Sequence, residues 1–169
     1  MTRLSSRARK AYLLVHIVSG GLWFGIDAAF GILVCTALIA GDPAVVATSL
    51  RAVGLFVVWP MLTTAVLTLG TGVVLGLGTK YGLVRYWWVA VKLAANVLMV
   101  LLIFFSLRPG IDDVAEYGRQ LAAGGTPLGD PSGLLPPVVV APSLLLLSNV
   151  LSVFKPWGRV RRGQPAPVR

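Results

Sequence analysis

Four stretches of this chain are each predominantly apolar for about 20 residues or more, the length at which an α-helix crosses a bilayer core of roughly 30 Å. They run from about 11 to 40, 52 to 78, 86 to 107 and 135 to 154. None alternates with period two, which excludes a transmembrane β-barrel. In lipid every backbone amide must find a partner inside its own segment, so the stretches are expected as helices, with Pro60 and Pro142 each removing one bond. The predicted fold class is all-α: a polytopic membrane protein in which residues 1–158 form a single bundle of four transmembrane helices. Only 12% of residues are charged and 56% are apolar, with a mean hydropathy of +0.83. A soluble domain carries about 25% charged residues, so an ordinary soluble enzyme and a disordered chain are both excluded. Cys35 is the single cysteine and cannot pair within the chain.

The net charge of +9 would suggest a polyanionic partner if the cations shared one folded face. They do not. Arg3, Arg7, Arg9 and Lys10 precede the first stretch, Lys80 and Arg85 separate the second from the third, and Lys155, Arg159, Arg161, Arg162 and Arg169 follow the fourth. No acidic residue lies in those segments, whereas the other two connections set Arg51, Arg108 and Arg119 against Asp42, Asp112, Asp113, Glu116 and Asp130. The positive-inside rule then places both termini in the cytoplasm, in a multi-pass protein of the bacterial cytoplasmic membrane. The cations face the anionic inner leaflet, and no nucleic acid is expected as a partner. The first stretch is about twice the 7–15 residues of a signal-peptide core, and Leu33-Val34 before Cys35 is unlike a lipoprotein site, so it is expected to remain as a helix.

The connection 108–134 is expected outside the membrane, with one short amphipathic helix at about 111–123 that lies on the outer surface or caps the bundle. Glycine and proline turn chemistry fills its second half, and the tail 159–169 is expected to be disordered. No internal repeat supports an inverted-repeat transporter.

Ionisable residues inside a membrane are costly and therefore functional candidates. Here they are His16, Asp27 and Lys92. His16 and Lys92 fall roughly 6–9 Å below the cytoplasmic surface at 1.5 Å per residue. Ser148, Asn149 and Ser152 of the fourth stretch, and Thr68, Thr71 and Gly72 of the second, reach the same layer, with Asn96 one turn deeper than Lys92. Along the first helix His16, Gly20, Trp23 and Asp27 recur on one stripe: an imidazole, a gap, an indole and a carboxylate. Such a stripe would seat a flat cofactor, with His16 as an axial ligand to haem iron. The cofactor-binding set is then His16, Gly20, Trp23, Lys92, Asn96 and Asn149, with His16 the metal ligand and Met99 an available soft second ligand. Each also has a structural reading. Lys92 would snorkel to the headgroups, His16 would bond a carbonyl or Asn149, and Asp27 would form an ion pair with Arg108 or Arg51. Gly21-x-x-x-Gly25 and the row Thr64, Thr68, Gly72 and Gly76 mark close helix packing. The aromatic residues Trp59, Tyr81, Tyr86, Trp87, Trp88 and Trp157 fit interfacial belts.

The segment Tyr12-Leu-Leu-Val-His16-Ile-Val-Ser-Gly-Gly-Leu-Trp23-Phe-Gly25 resembles the first helix of CopD-type copper-resistance membrane proteins and HemJ-type protoporphyrinogen oxidases. Tyr81-Gly82-Leu-Val-Arg85-Tyr-Trp-Trp88-Val-Ala-Val-Lys92 is similar to their third helix, and small four-helix bacterial membrane proteins share both signatures. The resemblance covers about 35 residues. It implies a four-helix bundle in which His16 and Lys92 form a shared site, associated in HemJ-type relatives with haem b and porphyrin. The additional histidines of copper handling are missing from this chain.

One histidine and one cysteine cannot build a zinc site, and neither a phosphate-binding loop nor a nucleophile triad spacing is present. Three functions stand at this point: a membrane protein binding haem b or a porphyrin at an inner-leaflet His/Lys/Asn site, a non-catalytic structural or accessory subunit, and a small transporter working through Asp27. A homo-oligomer or a membrane-complex partner fits the first two.

Overall fold

The computed structural model describes residues 4–78, 82–127, 129–155, 158 and 160. Among them the chain is all-helical, and four helical columns are long and apolar enough to cross a membrane. The expected belt residues Tyr81 and Trp157, and all of the expected disordered tail except Val160, lie outside the described residues.

The first column is α1 (Ser6–Ile39), started by the Ser5 hydroxyl, which accepts from the Ala8 amide at 3.2 Å. At 1.5 Å per residue its 34 residues reach about 51 Å, well beyond the apolar core of a bilayer. The second column is α2 (Pro43–Phe56) followed by α3 (Val58–Gly78), interrupted only at Val57. Asp42 caps α2 by accepting from the Ala44 amide at 2.8 Å, so the helix begins well before the apolar stretch at 52. Pro60 falls in the first turn of α3, where a missing amide costs little.

The third column is α4 (Trp87–Leu102), a π-helical turn (Ile103–Leu107) and α5 (Arg108–Ala122). Pro109 has no amide to give to the helix, and the chain widens one turn earlier, where the Arg108 amide donates to Ile103 O. The amphipathic helix expected within the 108–134 connection is therefore a continuation of the third membrane helix. Gly124, at φ 76, turns the chain out of α5. A 3₁₀ turn at Pro131–Leu134, capped by Asp130, leads into α6 (Leu135–Phe154), which contains Pro142. The amide and hydroxyl of Ser132 both donate to the Asp130 carboxylate and hold its pKa below the ordinary carboxylate value.

α1 starts, α3 ends, α4 starts and α6 ends at one side of the bundle, here the near end. α1 packs along α3 and against α6, and α4 packs against α3 and α6, which closes a ring of four. At the far end α2 lies along α5. Glycine permits that approach: a Cβ on Gly54 would meet the Ala115 Cβ at 2.4 Å, and one on Gly118 would meet Ala47 O at 3.1 Å. Phe30, Val34, Leu50, Val53, Met61 and Ile111 fill a tight apolar core there. Leu14, Ile17, Leu22, Ile32, Phe105 and Val139 are exposed around the outside, as lipid-facing positions are. Gly21 and Gly25 lie on that exposed surface with no atom near a built Cβ, so this pair does not mediate packing within the chain.

Candidate functional site

The near half of the bundle is held by polar contacts along the antiparallel α1–α3 seam. His16 Nδ1 lies 3.0 Å from the backbone oxygen of Thr68 and 3.0 Å from Thr71 Oγ1. A carbonyl oxygen only accepts, so Nδ1 carries the proton, and in the neutral ring Nε2 is left with a free lone pair. The Thr71 hydroxyl spends its own hydrogen on Leu67 O at 2.6 Å, which leaves its oxygen to accept from His16. A Cβ on Gly72 would lie 3.2 Å from His16 Cε1, so the glycine is what lets the ring lie against α3. One turn on, Thr68 Oγ1 donates to Ser19 Oγ at 2.9 Å, and Ser19 donates to His16 O at 3.2 Å.

Lys92 faces the bundle rather than the headgroups: Nζ donates to Ser152 Oγ on α6, and Ser152 in turn donates to Ser148 O at 3.0 Å. His16, Thr71, Lys92 and Ser152, one from each column, therefore form a single polar layer. Asn96 and Ser148 are buried beside it.

The other expected site residues are placed differently. Asn149 is exposed on the outer side of α6, about 100° around the helix from Ser148, and does not join the layer. Gly20 and Trp23 do share the His16 stripe, but they do not leave a slot. The Thr68 methyl stands 4.0 Å from a Cβ on Gly20, and Trp23 is fully buried. The expected ion pair of Asp27 with Arg108 is not formed. Asp27 turns into the core with neither oxygen hydrogen-bonded, while Arg108 lies 5.6 Å from the ring centroids of both Trp59 and Phe104. Ser19 is the partner that the sequence reading missed, and the individual pairings of Thr71 and Ser152, already expected at this depth, are what it did not give. Their signal was spacing: Ser19 follows His16 by three residues, and Ser148 and Ser152 are four apart on the face of buried Leu145.

The donor set suits one part of a haem site and not another. His16 offers Nε2, oriented by a carbonyl on its other nitrogen, which is the usual arrangement of a metal-bound histidine. The ammonium of Lys92 suits a carboxylate arm. Trp23, fully buried, offers no open face to the flat ring. Among the described residues no three His, Cys, Asp or Glu side chains come together as a metal cage. No protein-family model matches the chain, and neither a curated protein nor a solved structure does.

Replacing Thr71 by Val should remove one interhelical hydrogen bond, worth about 0.6 kcal/mol on average within membranes. Gly72→Val should cost more, because it drives the imidazole off α3. Unfolding in mixed micelles with rising SDS would rank the two against the unaltered protein.

Proposed function

We propose that this is a multi-pass protein of the bacterial cytoplasmic membrane, its near end cytoplasmic, with a ligand site built on His16 and Lys92 at inner-leaflet depth. The distribution of charge supports the orientation: Arg7, Arg9, Lys10, Arg85 and Lys155 stand at the near end without an acidic residue, and Asp112, Asp113, Glu116 and Asp130 stand at the far end. Single cysteines in a Cys35→Ser background test it. A cysteine at Ser5 should react with an impermeant maleimide only after the cells are opened, and one at Ser132 should react on intact spheroplasts. The reverse pattern would invert the topology.

The observation that carries the site is the fixed imidazole. With Nδ1 committed to α3, the Nε2 lone pair is left for a ligand at the depth of Lys92. Haem b or a related porphyrin is the ligand class that uses both groups, with Nε2 on the iron and the Lys92 ammonium on a propionate. When bound it supplies redox or porphyrin chemistry, and the chain supplies the axial nitrogen, the cation and a dry surround. Asn96, buried on α4, would line the site from that helix.

A second reading is a structural or accessory subunit, and the full burial of Trp23 favours it. Purification after haem-replete expression separates the two. The haem reading expects a Soret band that His16→Ala abolishes and Lys92→Ala weakens by about tenfold in haem affinity. No band, or one indifferent to His16→Ala, would leave the accessory reading standing.

A further inference from the structure

Two polar side chains in the core have no protein partner, and both lie on the α1 stripe. Trp23 is 0% exposed with its indole N–H unbonded, and Asp27, one turn further on, is 2% exposed with neither carboxyl oxygen bonded. A lone buried polar group is costly, and two on one helix face, a donor and an acceptor, call for a group that serves both. A metal cation would satisfy the carboxylate but be repelled by the indole hydrogen. A water molecule accepts from the indole and donates to the carboxylate, and it can also carry a proton.

No countercharge is at hand. α3 and α6 contain no ionisable residue, α2 contains only Arg51, which is exposed, and α4 contains only Lys92, which is engaged with Ser152 in the near-end layer. The surroundings of Asp27 are also one-sided. Toward the far end follow Phe30, Val34, Val57 and Met61, all buried and apolar. Toward the near end the α1–α3 seam carries buried hydroxyls at successive turns: Thr64, then Thr68 bonded to Ser19, then Thr71 bonded to His16.

We propose that Asp27 is a proton-exchange site within the membrane, completed by a water held between its carboxyl group and the Trp23 indole, and reached by protons from the near end only. One O–H bond breaks at the carboxyl as another forms on the water, and further water reaches the pair along the hydroxyl-bearing α1–α3 seam, whose hydroxyls themselves donate to backbone carbonyls and to Ser19. Nothing is oxidised or reduced. The site does not depend on any ligand at His16 and Lys92.

Infrared difference spectroscopy of the full chain in lipid bilayers, under steps of pH and of D₂O, reads the site directly. The expected result is a carboxylic-acid C=O band that shifts in D₂O, is missing in Asp27→Asn and persists at a moved frequency in Asp27→Glu. Thr68→Val, which removes a buried hydroxyl from the near-end side without changing the side chain's shape, should slow the D₂O response of that band about tenfold. Should Asp27→Asn fail to fold, the frequency change in Asp27→Glu still assigns the band. A spectrum with no band that follows residue 27, a band governed by sodium rather than pH, or an exchange rate untouched by Thr68→Val would each overturn the proposal.

Discussion

In hydrocarbon the hydrophobic effect does not hold helices together, because lipid tails are as apolar as leucine; close packing and hydrogen bonds between helices do that work. The α1–α3 seam is where this chain meets the requirement. Glycine at 72 lets an imidazole lie on the neighbouring backbone, and threonine at 68 and 71 supplies the oxygens that hold it there. The ring of α1, α3, α4 and α6 is organised around that contact. Lys92 and Ser152 close the opposite corner of the same layer.

The two halves of the molecule solve the packing problem differently. Small or polar residues fill near-end interior positions, Ser19, Thr68, Thr71, Asn96 and Ser148 among them, and the first three bond across the α1–α3 seam. Far-end positions are large and apolar, and α2 and α5 lengthen the bundle so that Phe30, Val34, Leu50 and Ile111 can bury one another. Asp27 and Trp23 sit at the boundary, one turn from the first dry layer. The proposed ligand and proton sites thus both lie in the half with hydrogen-bonding groups.

Much of this was legible in the sequence. Span length and apolarity give four membrane-crossing columns, and depth counted along each column brings His16, Lys92, Thr71 and Ser152 to one level. Direction around a helix is harder to read when polar residues are adjacent. Ser148 and Asn149 share a depth, and only packing against α4 decides that the serine faces inward and the amide outward. The far-end layer was hidden for another reason. α2 is a 14-residue helix whose burial depends on α5, more than 50 positions later, through the gaps at Gly54 and Gly118. Pro109 reads locally as a break, yet a π turn carries the helix through it. The flat slot expected along the Gly20–Trp23 stripe is not found because Trp23 is fully buried.

His16 is the only histidine in the chain, so a single side-chain assignment tests the seam and the site together. Nitrogen-15 solid-state NMR of histidine-labelled protein in bilayers distinguishes the two neutral tautomers by their ring shifts. The neutral ring is expected with Nδ1 protonated and Nε2 bare, the arrangement that a carbonyl on α3 imposes. A ring with Nε2 protonated and Nδ1 bare would contradict it, removing both the contact that orders the bundle and the nitrogen offered to a ligand.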